Sequence, residues 1–171
     1  MTQILSIETI ELCDLFSPRG RNFLTLIFDK SYEMIASDIE KGVISLFKES
    51  IDIKQLEIPK KRGSETSHHR LLKANAAKLL TDLGEDTIEF EGVDFSDVFG
   101  EKLKIRVECG QTDGVRLYRS LWTAKEFWLL PYPYQDSETY LYKFIIDYNK
   151  LLEEYPEGWE LLSKERIKQF I

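Results

Sequence analysis

The stretch FSDVFGEKLKIRVECGQ, residues 95–111, decides how the chain is interpreted. Its second half, KLKIRVEC (residues 102–109), alternates apolar and polar side chains, which is the pattern of a β-strand with one buried face. Glu108 lies on the polar side near the end of that strand, and Asp97 lies on the preceding strand-like segment. Neither strand propensity nor a packed core favours two acids at adjacent strand ends, so we expect them to have a chemical role.

Helix and strand patterns surround this stretch. A helix is predicted from about Glu65 to Leu83, with Ser64 as its N-cap and Gly84 as its stop. Its expected core face consists of His69, Leu72, Ala76, Leu79, Leu80 and Leu83. Strands are predicted in residues 87–93, 94–99, 102–109 and 125–134, and a helix that Thr112 or Asp113 caps precedes the last of them. The order helix, strand, strand, strand, helix, strand predicts an α/β fold with a mixed sheet flanked by helices.

The two ends of the chain are predicted to be helical. Apolar positions from Ser31 to about Phe47 fall on one helical face, and two helices, Glu138 to about Tyr155 and Glu157 to Phe170, follow the sheet. The composition and length fit one domain over residues 1–171. Within it we expect three parts: an N-terminal extension (1–58), a core (59–135) and C-terminal helices (136–171).

Composition and charge exclude several classes of protein. No run approaches the roughly 18 apolar residues of a membrane span, and the N-terminus lacks a signal-peptide pattern, so a cytoplasmic protein is expected. The net charge of −7 argues against non-specific coating of nucleic acid. Residues 54–73 nevertheless carry six bases against two acids, a local charge of +4. This segment is either a contact for a polyanion or a solvated charged turn.

The two acids have the donor chemistry of a metal site. If their strands are adjacent, Asp97 and Glu108 can share one Mg²⁺ ion, with the Cys109 main-chain carbonyl as a further oxygen ligand. Glu65, on the first turn of the predicted helix, would support the attacking water. The simpler alternatives are that Glu108 is an ordinary polar-face residue and that Glu65 only interacts with the helix dipole.

The order of these elements and acids resembles the PD-(D/E)xK nuclease superfamily, which includes restriction endonucleases. The resemblance covers roughly residues 63–132 and implies a restriction-endonuclease-like αβββαβ core. It also implies that Asp97 and Glu108 bind Mg²⁺ or Mn²⁺ and that Glu65 assists catalysis. Many relatives dimerise to cut two strands, so the resemblance also allows a homodimer.

Two positions depart from the family pattern. Ser96 replaces the motif proline, which carries no chemistry. Gly110 stands where the family has its catalytic lysine, which positions the attacking water and stabilises negative charge. Gln111, Arg116 and Arg119 are the candidates for the missing function.

The resemblance therefore predicts a metal-dependent nuclease that hydrolyses DNA phosphodiester bonds. The residues expected to contact phosphates are Lys60, Lys61, Arg62, His69, Arg70 and Lys73; for His69 a buried edge position is the alternative. Loss of the lysine leaves open a catalytically inactive module that binds nucleic acid or a protein partner. A third hypothesis is a structural protein with the Ser31–Phe47 helix as its interface.

Overall fold

The computed structural model describes residues 2–4, 35, 37–57, 66–91, 97–110, 124–131 and 139–154. The helix predicted after Thr112 and the C-terminal helix from Glu157 to Phe170 lie outside these residues. In the described part of the chain, no helix is both long enough and apolar enough to cross a bilayer.

Within the described residues, seven strands form one mixed sheet with the order β1-β2-β7-β6-β5-β4-β3. The strands are β1 (Thr2–Ile4), β2 (Ile44–Ile51), β3 (Ile88–Phe90), β4 (Val98–Gly100), β5 (Ile105–Cys109), β6 (Glu126–Leu130) and β7 (Thr139–Ile146). The two bounded helices are α1 (Ser67–Asp82) and α2 (Tyr148–Glu154), and residues 35 and 37–40 are also helical. The predicted α/β class with a mixed sheet is confirmed.

The middle of the chain follows the predicted order. Strands β3, β4 and β5 form an antiparallel meander, and β6 then pairs parallel to β5. A parallel pair requires a crossover connection of about a dozen or more residues, which is usually helical. The chain between Cys109 and Glu126 is long enough for such a crossover, and its sequence predicts a helix.

Helix α1 begins two residues later than its sequence suggested. Thr66, not Ser64, is the N-cap, and its Oγ1 accepts a hydrogen bond from the His69 N–H at 3.1 Å. At the other end Gly84 has a φ of 102°, so the predicted glycine stop is confirmed. Leu83 was expected in the core, but it lies in the turn after the helix and is 54% exposed.

Helix α1 packs on the part of the sheet that β3, β4 and β5 form. The core on this side joins apolar residues of the helix to alternate residues of the strands. Its fully buried members include Leu72, Ala76, Leu80, Val98, Val107, Cys109, Trp128 and Leu130.

Both faces of the central strands are covered. The consecutive residues Phe127, Trp128, Leu129 and Leu130 of β6 are all buried, although successive side chains of a strand point to opposite faces. The alternation in β5 predicted one polar face, and that face is buried as well: Arg106 and Glu108 are only 3% and 2% exposed. The two charged groups are therefore interior groups of a sheet that is covered on both sides.

The helix predicted from Ser31 to Phe47 is wrong in its second half. The helical residues end at Glu40, and Gly42 adopts a φ of 72°. From Ile44 onward the chain forms β2, which lies between β1 and β7 in the sheet. An interface helix that extends to Phe47 is thus excluded, because Ile44–Phe47 pair with β7.

The helix predicted from Glu138 to Tyr155 is also wrong over most of its length. Residues Thr139–Ile146 form β7, and only Tyr148–Glu154 are helical. The sequence TYLYKFII is rich in aromatic and β-branched residues, which pack well on a pleated sheet. The spacing of Tyr140, Phe144 and Tyr148 fits a helix, but the eight paired positions between β2 and β7 decide the structure.

Candidate functional site

Asp97 and Glu108 come together where β4 begins and β5 ends. Val98 pairs with Val107, so Asp97, one residue earlier, comes level with Glu108 on the adjacent strand. Their side chains are within hydrogen-bonding reach of each other. Glu108 is 2% exposed and the Asp97 side chain is 16% exposed. The predicted proximity of the two acids is confirmed.

Two further groups fix the Asp97 carboxylate. His69 Nε2 lies 3.1 Å from Asp97 Oδ1, and the Cys109 main-chain N–H donates to Oδ2 at 2.8 Å. His69 is in the first turn of α1, where the Thr66 cap fixes the start of the helix against the strands. Each Asp97 oxygen is therefore held from a different secondary-structure element, which orients the carboxylate beside Glu108.

The electrostatics of this acid pair favour a charged Asp97. Burial alone would raise the pKa of Asp97, but the His69 hydrogen bond, the Cys109 N–H, the His69 charge and the Glu108 contact together lower it. Two carboxylates in contact cannot both be ionised cheaply unless a proton or a cation lies between them. The pair is thus suited either to share a proton or to bind a cation.

The donor set fits a hard divalent cation. Carboxylate oxygens are the ligands that Mg²⁺ and Mn²⁺ prefer, and Mg²⁺ usually keeps several waters beside one or two carboxylates. The described part of the chain contains no group of three or more His, Cys, Asp or Glu residues that could hold a metal. The protein's share would then be Asp97 and Glu108. The Cys109 carbonyl stays a predicted third ligand, and the Cys109 side chain is buried in the core.

Gly110, the position of the family's lysine, has a backbone that suits glycine. Its φ is 90°, in the region that residues with a Cβ rarely adopt. Its N–H donates to the Leu130 carbonyl at 2.8 Å, directly after the parallel β5–β6 pairing ends. The local backbone therefore explains the glycine independently of any loss of catalysis.

Three predicted phosphate contacts lie on α1 with different exposures. Lys73 is only 4% exposed, and its Nζ lies 2.5 Å from Glu91 Oε1. Arg70 is partly buried and follows His69, which contacts Asp97. A phosphate could reach Lys73 only if the contact with Glu91 opened, whereas His69 is partly exposed and contacts Asp97 of the acid pair.

Seven other predicted site residues lie outside the described part of the chain, so their roles stay predictions. They are Lys60, Lys61, Arg62, Glu65, Gln111, Arg116 and Arg119.

Sequence reasoning missed two charged residues near the acid pair. Glu91 follows β3 at a φ of 50°, and nothing in its sequence context indicated its contact with Lys73. Arg106 lies two residues before Glu108, hence on the same face of β5, and its guanidinium is 4.7 Å from the Phe99 ring centroid. The spacing of two residues between Arg106 and Glu108 indicated that they share a face of the strand. That face was interpreted as an ordinary polar face, so a role for Arg106 beside Glu108 was not considered.

Comparisons with known proteins found no relative of this chain. No protein-family model, no curated protein and no solved structure matches the chain. The acid pair and its surroundings are therefore the basis on which a function can be assigned.

Proposed function

We propose that this chain is a metal-dependent nuclease that hydrolyses DNA phosphodiester bonds, with Asp97 and Glu108 as its metal-binding acids. The observation that carries the proposal is the contact between these two largely buried carboxylates from neighbouring strands. Burying two like charges together is costly, and a divalent cation would remove that cost. Mg²⁺ or Mn²⁺ fits the oxygen donors.

The order of the elements supports a restriction-endonuclease-like core as part of the proposal. Helix α1, the meander of β3, β4 and β5, and the parallel strand β6 follow one another in an order compatible with an αβββαβ core, whose second helix stays a sequence prediction. The acids lie on β5 and directly before β4, as the resemblance implies.

Each residue has a distinct part in the proposed reaction. A bound Mg²⁺ ion would polarise a phosphoryl oxygen and lower the pKa of the attacking water. His69 and the Cys109 N–H orient Asp97, and the partly exposed His69 and Arg70 would contact the phosphate. The basic cluster Lys60–Arg62 would contact neighbouring phosphates, and Glu65 with Gln111 or Arg116 would position the water.

A cleavage assay tests the proposal. The purified full chain is incubated with linear, circular, single-stranded and branched DNA in EDTA, Mg²⁺ or Mn²⁺, beside Glu108→Gln and Asp97→Asn. We expect metal-dependent cutting that each substitution lowers by more than about a hundredfold, because each removes a metal ligand. Glu89→Gln, at an exposed position of β3, is the control that keeps full activity. Full activity in the two site variants would contradict the assignment.

The lack of a lysine at position 110 leaves a second candidate, a nuclease-fold module that binds nucleic acid or a protein partner without cutting. This candidate predicts DNA retention in a gel-shift assay, with no cleavage in Mg²⁺ or Mn²⁺. It also predicts that Mn²⁺ does not raise the melting temperature, whereas an intact acid pair should stabilise the folded state by linkage.

A further inference from the structure

Two side chains of α1, one helical turn apart, hold acids at the ends of two neighbouring strands. His69 contacts Asp97 at 3.1 Å, and Lys73 contacts Glu91 at 2.5 Å. Residues four apart lie on the same face of a helix, so both contacts are made by one face of α1. The helix is thus tied to the end of β3 and to the start of β4 by two parallel contacts.

The second contact is connected to the first through the backbone. Phe90 pairs with Val98, and the next residue, Glu91, donates its N–H to the Asp97 carbonyl at 3.2 Å. Glu91 and Asp97 are therefore directly opposite each other at the end of the β3–β4 ladder. A displacement of Glu91 would displace the main chain that carries the Asp97 carboxylate.

Glu91 adopts a backbone conformation that its surroundings must maintain. Its φ of 50° is uncommon for a residue with a Cβ, and such conformations persist where neighbouring contacts hold them. The Lys73 side chain is 5% exposed, and a buried ammonium group needs an acid partner because its desolvation is costly. The burial of Lys73 therefore fixes the position of the Glu91 carboxylate.

We propose that Lys73 and Glu91 are positioning residues for Asp97: their ion pair fixes the end of β3 against α1 and so sets the distance between the two acids of the candidate site. The inference rests on the proposed function for its consequence, which is metal affinity, but the positional effect itself is measurable without metal. Lys73 then holds the site in position, whereas the sequence predicted that it contacts phosphate.

The test compares two ion pairs of the same helix. Lys73→Met and Glu91→Gln remove the proposed positioning pair. Lys78→Met removes a matched surface pair, since Lys78 Nζ lies 3.3 Å from Asp82 Oδ1 with 40% of the Lys78 side chain exposed. Titration with Mn²⁺ alone measures metal affinity in each folded full-length variant. We expect a loss of about 10- to 100-fold for Lys73→Met and Glu91→Gln, the range typical of residues that orient a metal ligand, and none for Lys78→Met.

A second readout reports the position of Asp97 without metal. The Cys109 amide donates to Asp97 Oδ2, so its NMR resonance and exchange rate respond to movement of that carboxylate. Lys73→Met and Glu91→Gln should shift the resonance and speed exchange by about tenfold or more, because the hydrogen bond that protects the amide weakens. The Lys78→Met amide should match the wild type.

The outcomes separate the positioning role from the proposed function. An unchanged Cys109 amide in both Lys73→Met and Glu91→Gln overturns the positioning role, whatever the metal does. A changed amide in a protein that binds no Mn²⁺ supports positioning and contradicts the metal-dependent nuclease. The double variant should be no worse than either single variant, because both act through one contact. If Glu91→Gln fails to fold because it removes the acid from the buried Lys73 ammonium group, Lys73→Met decides the question, since the Glu91 that then loses its lysine is 40% exposed.

Discussion

Buried acids lie at both ends of the β4–β5 hairpin, but their surroundings differ. At the turn, Glu85 is 4% exposed and its oxygens accept hydrogen bonds from the N–H groups of Thr87, Lys102 and Leu103 at 3.1, 3.0 and 2.8 Å. At the open end, Asp97 and Glu108 contact each other. Main-chain N–H groups stabilise the charged Glu85 carboxylate, whereas at the open end two carboxyl groups lie side by side.

This difference shows that burial of an acid does not by itself indicate a functional site. The Glu85 carboxylate has main-chain donors on both oxygens, and it fixes the turn between β4 and β5 as a structural group. If both acids were ionised they would repel each other, and a shared proton or a cation would relieve that repulsion. Substitutions should therefore separate stability at one end from metal binding at the other.

The substitution expected to destabilise the protein most is at neither end of the hairpin but in the core. Its effect on the free energy of unfolding is the reference for the substitutions at both ends. Phe144 of β7 is fully buried, and its ring centroid is 5.9 Å from that of Phe127. Phe144→Ala should lower the free energy of unfolding by about 3–5 kcal/mol, because it leaves a cavity in a packed core. Urea denaturation measures the loss. Affinity for Mn²⁺ should stay unchanged in the folded fraction, and a loss below about 1 kcal/mol would contradict this packing.

Replacing the turn acid should cost less stability and leave the metal site intact. In the wild type, three N–H groups donate hydrogen bonds to the charged Glu85 carboxylate. Glu85→Gln makes these hydrogen bonds weaker, because the amide is uncharged and its nitrogen cannot accept a hydrogen bond. We expect a loss of about 2–3 kcal/mol in urea denaturation with unchanged Mn²⁺ affinity. The control is Glu89→Gln, at an exposed β3 position. If Glu85→Gln instead abolished Mn²⁺ binding, the proposed division between the two ends would be wrong.

A glycine beside Glu85 gives a smaller and more local test. A Cβ at Gly100 would lie 2.6 Å from Glu85 Oε2 and 3.1 Å from its Cδ. Because three N–H groups hold the carboxylate, it cannot move freely, and Gly100→Ala should cost about 1–2 kcal/mol. In a Glu85→Ala background the same substitution should cost much less. Equal costs in the two backgrounds would show that the carboxylate yields easily.

The smallest effect is a pH dependence at the turn. Burial alone would raise the pKa of Glu85, but the N–H groups of Leu103, Lys102, Thr87 and Asp86 lower it below its ordinary value. A lowered folded-state pKa means that the stabilisation is present above the unfolded-state pKa and is lost as pH falls through the folded-state pKa. The stability difference between wild type and Glu85→Gln should therefore shrink below about pH 4.5. Denaturation curves from pH 7 to pH 3 measure it, and a constant difference would contradict this origin.

The sequence predicted the middle of the fold better than its ends. The strands around Asp97 and Glu108 are bounded by turn signals and alternate clearly, so β3 to β6 and α1 were all identified. β2 and β7 were misread because their apolar residues also recur at helical spacing, and long-range pairing between the two strands overrides that local pattern. Such pairing depends on residues far apart in the chain, which local periodicity does not show.

The site could be predicted only where adjacent strands determine it. The contact of Asp97 with Glu108 requires only that two consecutive strands pair as neighbours, which the sequence indicated; the structure then gives their register. The contacts of His69 and Lys73 depend on how α1 lies against the sheet, and periodicity gives the helix face but not its position along the strands. The structure also shows that an alternating strand need not face solvent, since Arg106 and Glu108 are both buried.

The φ of 90° at Gly110 has a consequence for protein engineering. A lysine introduced there would carry a Cβ into a left-handed backbone, at a cost of about 1–2 kcal/mol, and its ammonium group would start from a strained main chain. Placing a basic side chain at position 110 by one substitution is therefore disfavoured. A basic side chain beside the acid pair would be introduced at lower cost on another element, where the backbone conformation is regular. Any single substitution of Gly110 should lower the free energy of unfolding, because each one adds a Cβ to this left-handed backbone.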